Sequence, residues 1–511
     1  MPSVADLFFV AILCGLIFTP LSIRLLGDAG IGWHIRTGQQ ILASHAIPRV
    51  DSFSSTMAGK PWFAWEWMYD IVVGWLEAAC GLNGPVWLTA VVIAAVFAWT
   101  FRLLIARGTH LCAAIALVLL AMSASTIHFL ARPHVISWLL ALAWFWILDS
   151  TEQESLGPGT GLSRFHLWTL PILMLLWVNL HGGFLLGFAL LAMFWLGSLW
   201  TWLRLKDFRI QESLQKIAAG KRAWDLTLVG LASFLASLVN PYAWKLHEHI
   251  YSYLSNRFLM NHIDEFQSPN FHGLAQRCFL ILLLVSLAIL IVRGRALRVS
   301  AILVVLFAVY AGLYASRNIP ISSILLVMIA GPLFPAAPFL RDVFGRMRTT
   351  ESSMKGHLWP ILFVLITLGI VFNRGRVGSN QWMDAQFGLN RMPVEAVNFL
   401  ETEHTNGPIL SPDYWGGYLI YRLAPKERVV LDDRHDFYGA DFLQSYLKML
   451  HVEDGWDAFL HETNPACVLL PRGSALANMM GKTAGWRSSY ADSVSIVFVP
   501  DRGAQRTNGD H

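Results

Sequence analysis

Apolar stretches about as long as a bilayer is thick recur along this chain of 511 residues, and no other feature limits its fold as strongly. A helix needs about 20 mostly apolar residues, within roughly 17–25, to cross a hydrocarbon core. No water is present there to bond an open backbone, so such runs dictate helices. They lie near residues 5–25, 84–105, 109–128, 134–150, 166–181, 183–203, 225–240, 276–293, 299–315, 319–336 and 357–373. This predicts a polytopic α-helical membrane protein of about eleven spans. Hydrophobic residues make up 55% of the chain and charged residues 14%, against about 45–50% and 25% in soluble domains. The 22 Trp suit the two lipid–water interfaces. The net charge of +4 is small, and no basic tract interleaved with aromatics points to a nucleic-acid surface. The five Cys show neither CxxC pairs nor zinc spacing. The N-terminus lacks a basic n-region and reads as a retained first span.

Short cytoplasmic loops carry an excess of Lys and Arg. Here the excess falls around 102–107, 204–222, 293–298 and 341–355, while the alternate loops hold few basic residues. The N-terminus is therefore expected inside, at a bacterial inner (plasma) membrane. Residues 27–83 form the first external loop, and everything after the last span lies outside. Within that loop Ile31, Ile35 and Leu42 recur at helical spacing, and 66–81 is apolar but short; both read as helices lying in or near the interface. From 374 to 500 the pattern becomes that of a small α/β domain. PVEAVNFLETEH and DGWDAFLHE read as helices, and ACVLLP and SVSIVFVP as buried strands. GPILSPDYWGGYLIYRLAPKERVVLDDRHDFYG reads as short β-like runs between turns. Residues 501–511 read as a disordered tail.

Ionisable groups near hydrocarbon are costly and tend to mark function. In this chain they gather at the outer ends of the spans: Asp28 after the first, Arg132 and His134 in HFLARPH, His181 in WVNLHGG, Asp264 and Glu265 in NHIDEF, and Arg317 in YASRNIP. The first loop adds His34, Arg36 and Glu66. If the helices bundle, these groups share one outward-facing cavity. Each also has a bland reading. Asp28 suits a helix cap, His181 a packing histidine, Arg132 and Arg317 snorkelling side chains, and Asp264 and Glu265 solvated loop charges. Asp51 suits a turn, and the run Asp432–Asp436 suits a metal or hydroxyl site or, more readily, a solvated loop.

The pattern D-x-x-x-x-WH-I-x-TG-x-x-IL from Asp28, followed by IP-x-x-D-x-FS-x-T-x-x-G-x-PW and EW, resembles the first external loop of bacterial GT-C class glycosyltransferases. WVNLHGG, NPY, RNI, GGYL and DDRHDFYG fit the same group. The resemblance implies a polyprenyl-phosphate-linked sugar donor, an acceptor that is a lipid, glycan or protein, and inverting transfer at the outer face. It gives the role of the first-loop carboxylate to Asp28. The group often has an acidic pair there, whereas Asp28 is followed by Ala29 and Gly30. Two versions of the chemistry stay open: a divalent cation, Mg or Mn, at that carboxylate, or a lone carboxylate assisted by Glu66, Asp264 or Glu265. His34, Arg36, Arg132, His134, His181 and Arg317 are then candidate substrate-binding groups, with Arg317 suited to clamp the donor phosphate through two parallel hydrogen bonds. A flippase for lipid-linked glycan would use the same cavity, although no internal repeat of the kind common in transporters is visible. A non-catalytic scaffold is a third possibility.

The orientation is checked by a reporter fused after Phe372. It should be active only as an external fusion, and cytoplasmic activity would mean that the span count is wrong by an odd number.

Overall fold

Each of the eleven apolar runs is mainly helical over its described residues in the computed structural model, which describes residues 1–156, 162–206, 210–294, 297–334, 341–354, 356–403 and 407–501. The expected disordered tail lies outside these residues except for Asp501. Six helices among the described residues are long and apolar enough to cross a membrane: Asn83–Ala106, Leu111–His128, His134–Glu154, Gly182–Arg204, Leu274–Arg293 and Ser316–Leu333. A seventh is added if Asp342–Ser353 and Leu358–Phe372, which meet at 55°, form one broken span. The count of eleven thus exceeds what helix length alone supports. Val4–Ile17, Arg164–Leu180 and Val299–Tyr314 are apolar but shorter. At 1.5 Å per residue, a 14-residue helix such as Val4–Ile17 reaches about 21 Å. Pro20 stops its continuation, because it offers no amide hydrogen to the next turn. The run at 225–240 falls in the second half of Ile210–Ser237, whose first half is polar.

One end of the bundle is tied by buried charge. Asp149 accepts from Arg107 and, at 2.5 Å, from Arg298, which also meets Glu152 at 2.6 Å. Arg222 donates to the Leu148 carbonyl at 2.7 Å. These bonds join four helices at sites where an unpaired charge would be expensive.

At the other end stands the 27–83 segment. Its two helices, Ile31–Ser44 and Trp67–Cys80, pack face to face through glycine: a Cβ at Gly38 would collide with the Asp70 carbonyl, and one at Gly74 would lie 2.7 Å from the Gln39 nitrogen. His34, placed on a separate face by the sequence pattern, is fully buried between them.

The α/β domain holds a four-stranded sheet in the order Ile409–Leu410, Cys467–Pro471, Ser495–Pro500, Trp486–Ala491. The first pair is parallel (Ile409 beside Cys467) and the other two are antiparallel. ACVLLP and SVSIVFVP are strands as expected, and Val394–Glu403 and Ala458–Thr463 are helices. The β-like reading of DYWGGYLIYRL is corrected: Asp413–Leu423 is a helix. Its apolar residues fall at helical spacing, with Trp415, Leu419 and Leu423 buried, and Gly416 and Gly417 give it a bare face rather than a strand turn.

That bare face docks on the 27–83 segment. A Cβ at Gly32 would strike the Gly417 carbonyl, and one at Gly417 the Ala29 carbonyl. Alongside, the Val429 amide donates to the Phe53 carbonyl at 3.1 Å, and the Ser55 amide donates to the Val429 carbonyl at 2.8 Å. The segment and the domain thus share backbone bonds as well as side-chain packing.

Gly38→Ala and Gly417→Ala should each destabilise the protein by about 1–3 kcal/mol, because backbone cannot yield to the added methyl. Gly15 and Gly369 are helical with nothing within 4 Å of a built Cβ, so alanine there should be neutral or stabilising by about 0.5–1 kcal/mol. Thermal unfolding of the four variants in detergent separates the two classes. Equal melting shifts would refute the packing argument.

Candidate functional site

Asp28 is both a cap and a site residue. Its Oδ1 accepts from the Gly30 amide at 2.8 Å, which turns the chain into the Ile31–Ser44 helix. The same oxygen accepts from Nη1 of Arg132 at 3.1 Å. Nη1 also donates to Oδ2 of Asp433 at 2.7 Å, and the Trp33 indole donates to Oδ1 of Asp433 at 3.0 Å. A side chain at Gly30 would displace the Arg132 guanidinium and the Asp433 carboxylate from these positions. Burial pushes the Asp433 carboxyl up against the pull of Arg132, and the Asp28 charge adds to the rise. Oδ2 of Asp28 has no protein hydrogen-bond partner among the described residues, and neither do Nε and Nη2 of Arg132.

Beside this triad, Glu66 stands between two imidazoles. Its Oε2 is 3.7 Å from Nε2 of His34 and its Oε1 is 3.7 Å from Nε2 of His181. Nδ1 of His181 accepts from the Gly183 amide at 3.0 Å and lies 2.7 Å from Oγ of Ser137, which itself accepts from the Trp177 indole. Nδ1 is therefore the bare nitrogen and Nε2 carries the proton. Nδ1 of His34 is 2.6 Å from Oδ1 of Asp70. Burial holds Asp70 well above the carboxylate range, with Glu66 adding to the rise. Burial, reinforced by Arg132, keeps His34 neutral, and burial with Arg317 does the same for His181. Burial raises Glu66 itself to about 8, against the downward pull of Arg132.

The remaining expected residues divide. Arg317 pairs with Glu265 at 3.1 Å and lies over the Phe266 ring at 4.5 Å. The Glu265 side chain is 44% exposed; partial desolvation would raise its carboxyl, but Arg317 and neighbouring cationic groups outweigh this and hold it at about 2. Nε2 of His134 donates to the His128 carbonyl at 2.9 Å, on the Arg132 side of the cluster. Asp28, His34, Glu66, Arg132, His134, His181, Glu265 and Arg317 thus gather at one end of the bundle. Arg36 and Asp264 do not join them. Arg36 donates to the Tyr421 carbonyl and to Gln39, stapling helix to domain, and Asp264 is exposed.

The sequence pattern does not single out Asp70, and it offers Asp433 and Asp436 only as members of the run Asp432–Asp436. Asp436 lies 2.9 Å from Nε2 of His249, whose ring stacks on Phe63 at 4.6 Å. The solvated-loop reading of Asp432–Asp436 is corrected: Asp432 and Arg434 are buried and bonded to each other, and Arg434 also reaches Asp51 at 2.8 Å. The alternation D-x-R-x-D was the available signal, since an arginine between acids can be buried only when paired. The turn reading of Asp51 is realised too, because it accepts from the Ser54 amide and hydroxyl.

Among the described residues no three His, Cys, Asp or Glu side chains form a group that could hold a metal ion. No protein-family model and no curated protein matches the chain.

Asp433 anchors Nη1 of a guanidinium whose side chain is 22% exposed. Asp433→Ala should raise the reactivity of Arg132 toward phenylglyoxal, with Asp433→Asn intermediate, as read by peptide mass spectrometry. Unchanged reactivity in both variants would show that Asp433 does not hold Arg132.

Proposed function

We propose that this is a membrane glycosyltransferase that moves a sugar from a polyprenyl-phosphate donor to a lipid, glycan or protein acceptor at the outer face of a bacterial inner membrane. The carrying observation is the pairing of Asp28 with Arg132: a carboxylate with one free oxygen beside a guanidinium with one free edge. The acceptor hydroxyl attacks C1 of the sugar and passes its proton to Asp28. The C1–O bond to phosphate breaks, and its electron pair stays on the phosphate. Arg132 is held between two acids, so it contributes placed donors more than net charge, and its free Nε and Nη2 match two phosphate oxygens. Arg317, fixed by Glu265 and Phe266, supplies a second cation. Such preorganised donors stabilise developing charge better than water, which must reorient to do so. The resemblance of the first loop and of DDRHDFYG to the GT-C group supports the same reading, and the apolar helices supply the lipid setting that such a donor needs.

Asp28→Asn keeps the acceptor oxygen for the Gly30 amide but loses the charge, so transfer in proteoliposomes should fall roughly 10²–10⁴-fold with the fold retained. If Arg317 clamps phosphate, Arg317→Lys should fail nearly as badly as Arg317→Ala, because lysine lacks the two-pronged donor. Full activity of Asp28→Asn would reduce Asp28 to a cap. Free substitution of Arg317 by lysine would make it a snorkelling residue.

A further inference from the structure

We propose that the end of the bundle opposite the polar cluster binds an anionic phospholipid, with one acyl chain in an apolar groove beside the Arg341–Ser353 helix and the phosphate at Arg346. This does not depend on the transfer chemistry above.

The two ends are joined by Leu111–His128, whose length is about 27 Å at 1.5 Å per residue. His128 belongs to the polar end through its bond with His134, and Leu111 borders the groove. The groove has a volume of about 410 Å³, and Leu7, Leu111, Val343, Met347 and Met354 supply its apolar wall. With the N-terminus inside, it opens on the cytoplasmic leaflet.

The Arg341–Ser353 helix, RDVFGRMRTTESS, is unlike the apolar helix that follows it. Asp342, Arg346, Arg348 and Glu351 would be costly in hydrocarbon, and the two helices meet at 55°. Val343, Met347, Thr350 and Met354 recur at helical spacing and all line the groove, as the inward stripe of a helix lying in the interface does. Two contacts fix this helix. The Phe344 ring stacks on the His110 imidazole at 4.5 Å, and Glu351 accepts from the amides of Val4 at 2.8 Å and Ala5 at 3.1 Å. Between these anchors the two walls stand apart, and Leu7, Val343 and Met347 stay exposed. Apolar protein surfaces that meet inside a fold are close-packed. A gap of this kind at a membrane interface is filled by hydrocarbon.

Charge decides which lipid supplies it. Arg346 lines the same groove. Its Nε reaches the Asp342 carbonyl at 3.4 Å, and its Nη1 and Nη2 meet no protein acceptor among the described residues. The nearby acids are largely engaged. Glu351 is occupied by the two amides, and Asp6 accepts from the Ser3 amide and hydroxyl and faces His357 at 3.4 Å. Asp342, at the start of the helix, is exposed. Two further guanidinium groups stand on the same side: Arg348 lies against Gly108, and Arg102 meets the His357 ring at 2.9–3.0 Å. A guanidinium with two unbonded nitrogens matches two oxygens of a phosphodiester, and basic pockets between membrane helices on the cytoplasmic side suit anionic headgroups. A zwitterionic lipid offers the same phosphate but brings a cation beside the arginines.

Native mass spectrometry of the full chain, released from detergent with equal amounts of phosphatidylglycerol and phosphatidylcholine of the same acyl chains, tests this. The wild type should retain phosphatidylglycerol in preference. Arg346→Ala should lower phosphatidylglycerol affinity roughly fivefold and leave phosphatidylcholine unchanged. Met347→Trp, which fills the groove, should lower retention of both lipids. Arg204→Ala, at an exposed arginine outside the groove, should change neither. Arg346 and Arg204 are both exposed, so their alanine variants should melt with the wild type. Equal retention of the two lipids by the wild type, or an undiminished preference in Arg346→Ala, overturns the proposal. So does an equal loss in Arg204→Ala, which would mean that surface charge alone attracts the lipid. A preference that survives Met347→Trp overturns the acyl-chain seat, and a dimer of this chain that Met347→Trp dissociates would put a second copy in the groove instead.

Discussion

The closeness of two backbones underlies everything else at the polar end of this molecule. Gly32 and Gly417 let the Ile31–Ser44 and Asp413–Leu423 helices approach until a methyl group on either would strike a carbonyl. Gly30 leaves the gap through which the Arg132 guanidinium passes to reach both Asp28 and Asp433. A glycine in a helix costs about 0.5–1 kcal/mol relative to alanine. That cost is offset because the approach puts bonded polar groups where side chains would otherwise hold the layers apart.

Once the segment and the domain are that close, charges between them are cut off from water and must be paired. Arg434 shows the structural solution. Its Nε and Nη2 meet both oxygens of Asp432 at 2.8 and 2.7 Å, Nη2 also reaches Asp51, and the guanidinium lies over the Trp62 ring at 4.6 Å. Removing one partner from such a buried pair typically costs about 3–5 kcal/mol, chiefly because the survivor is stranded. The triad of Asp28, Arg132 and Asp433 is a looser version. Its members are partly exposed and keep unbonded donors and acceptors.

The sequence by itself determined the helical membrane core, because apolar runs of this length have no other stable form in lipid. It also determined that polar groups cluster at the ends of those runs, and the strands Cys467–Pro471 and Ser495–Pro500, whose apolar residues suit a buried sheet. It did not determine the number of spans, since a run such as Val4–Ile17 is apolar enough but too short to decide alone. Nor did it determine the site. His34 and Asp70 are 36 residues apart, and Arg132 and Asp433 are 301 apart. Local periodicity carries no information about such pairs, which is why Arg36 and Asp264 look as eligible as Arg132 and why Asp433 reads more readily as part of a solvated loop. Only the tertiary structure, through glycine contacts that fix how two layers meet, decided which charges face each other and which face the solvent.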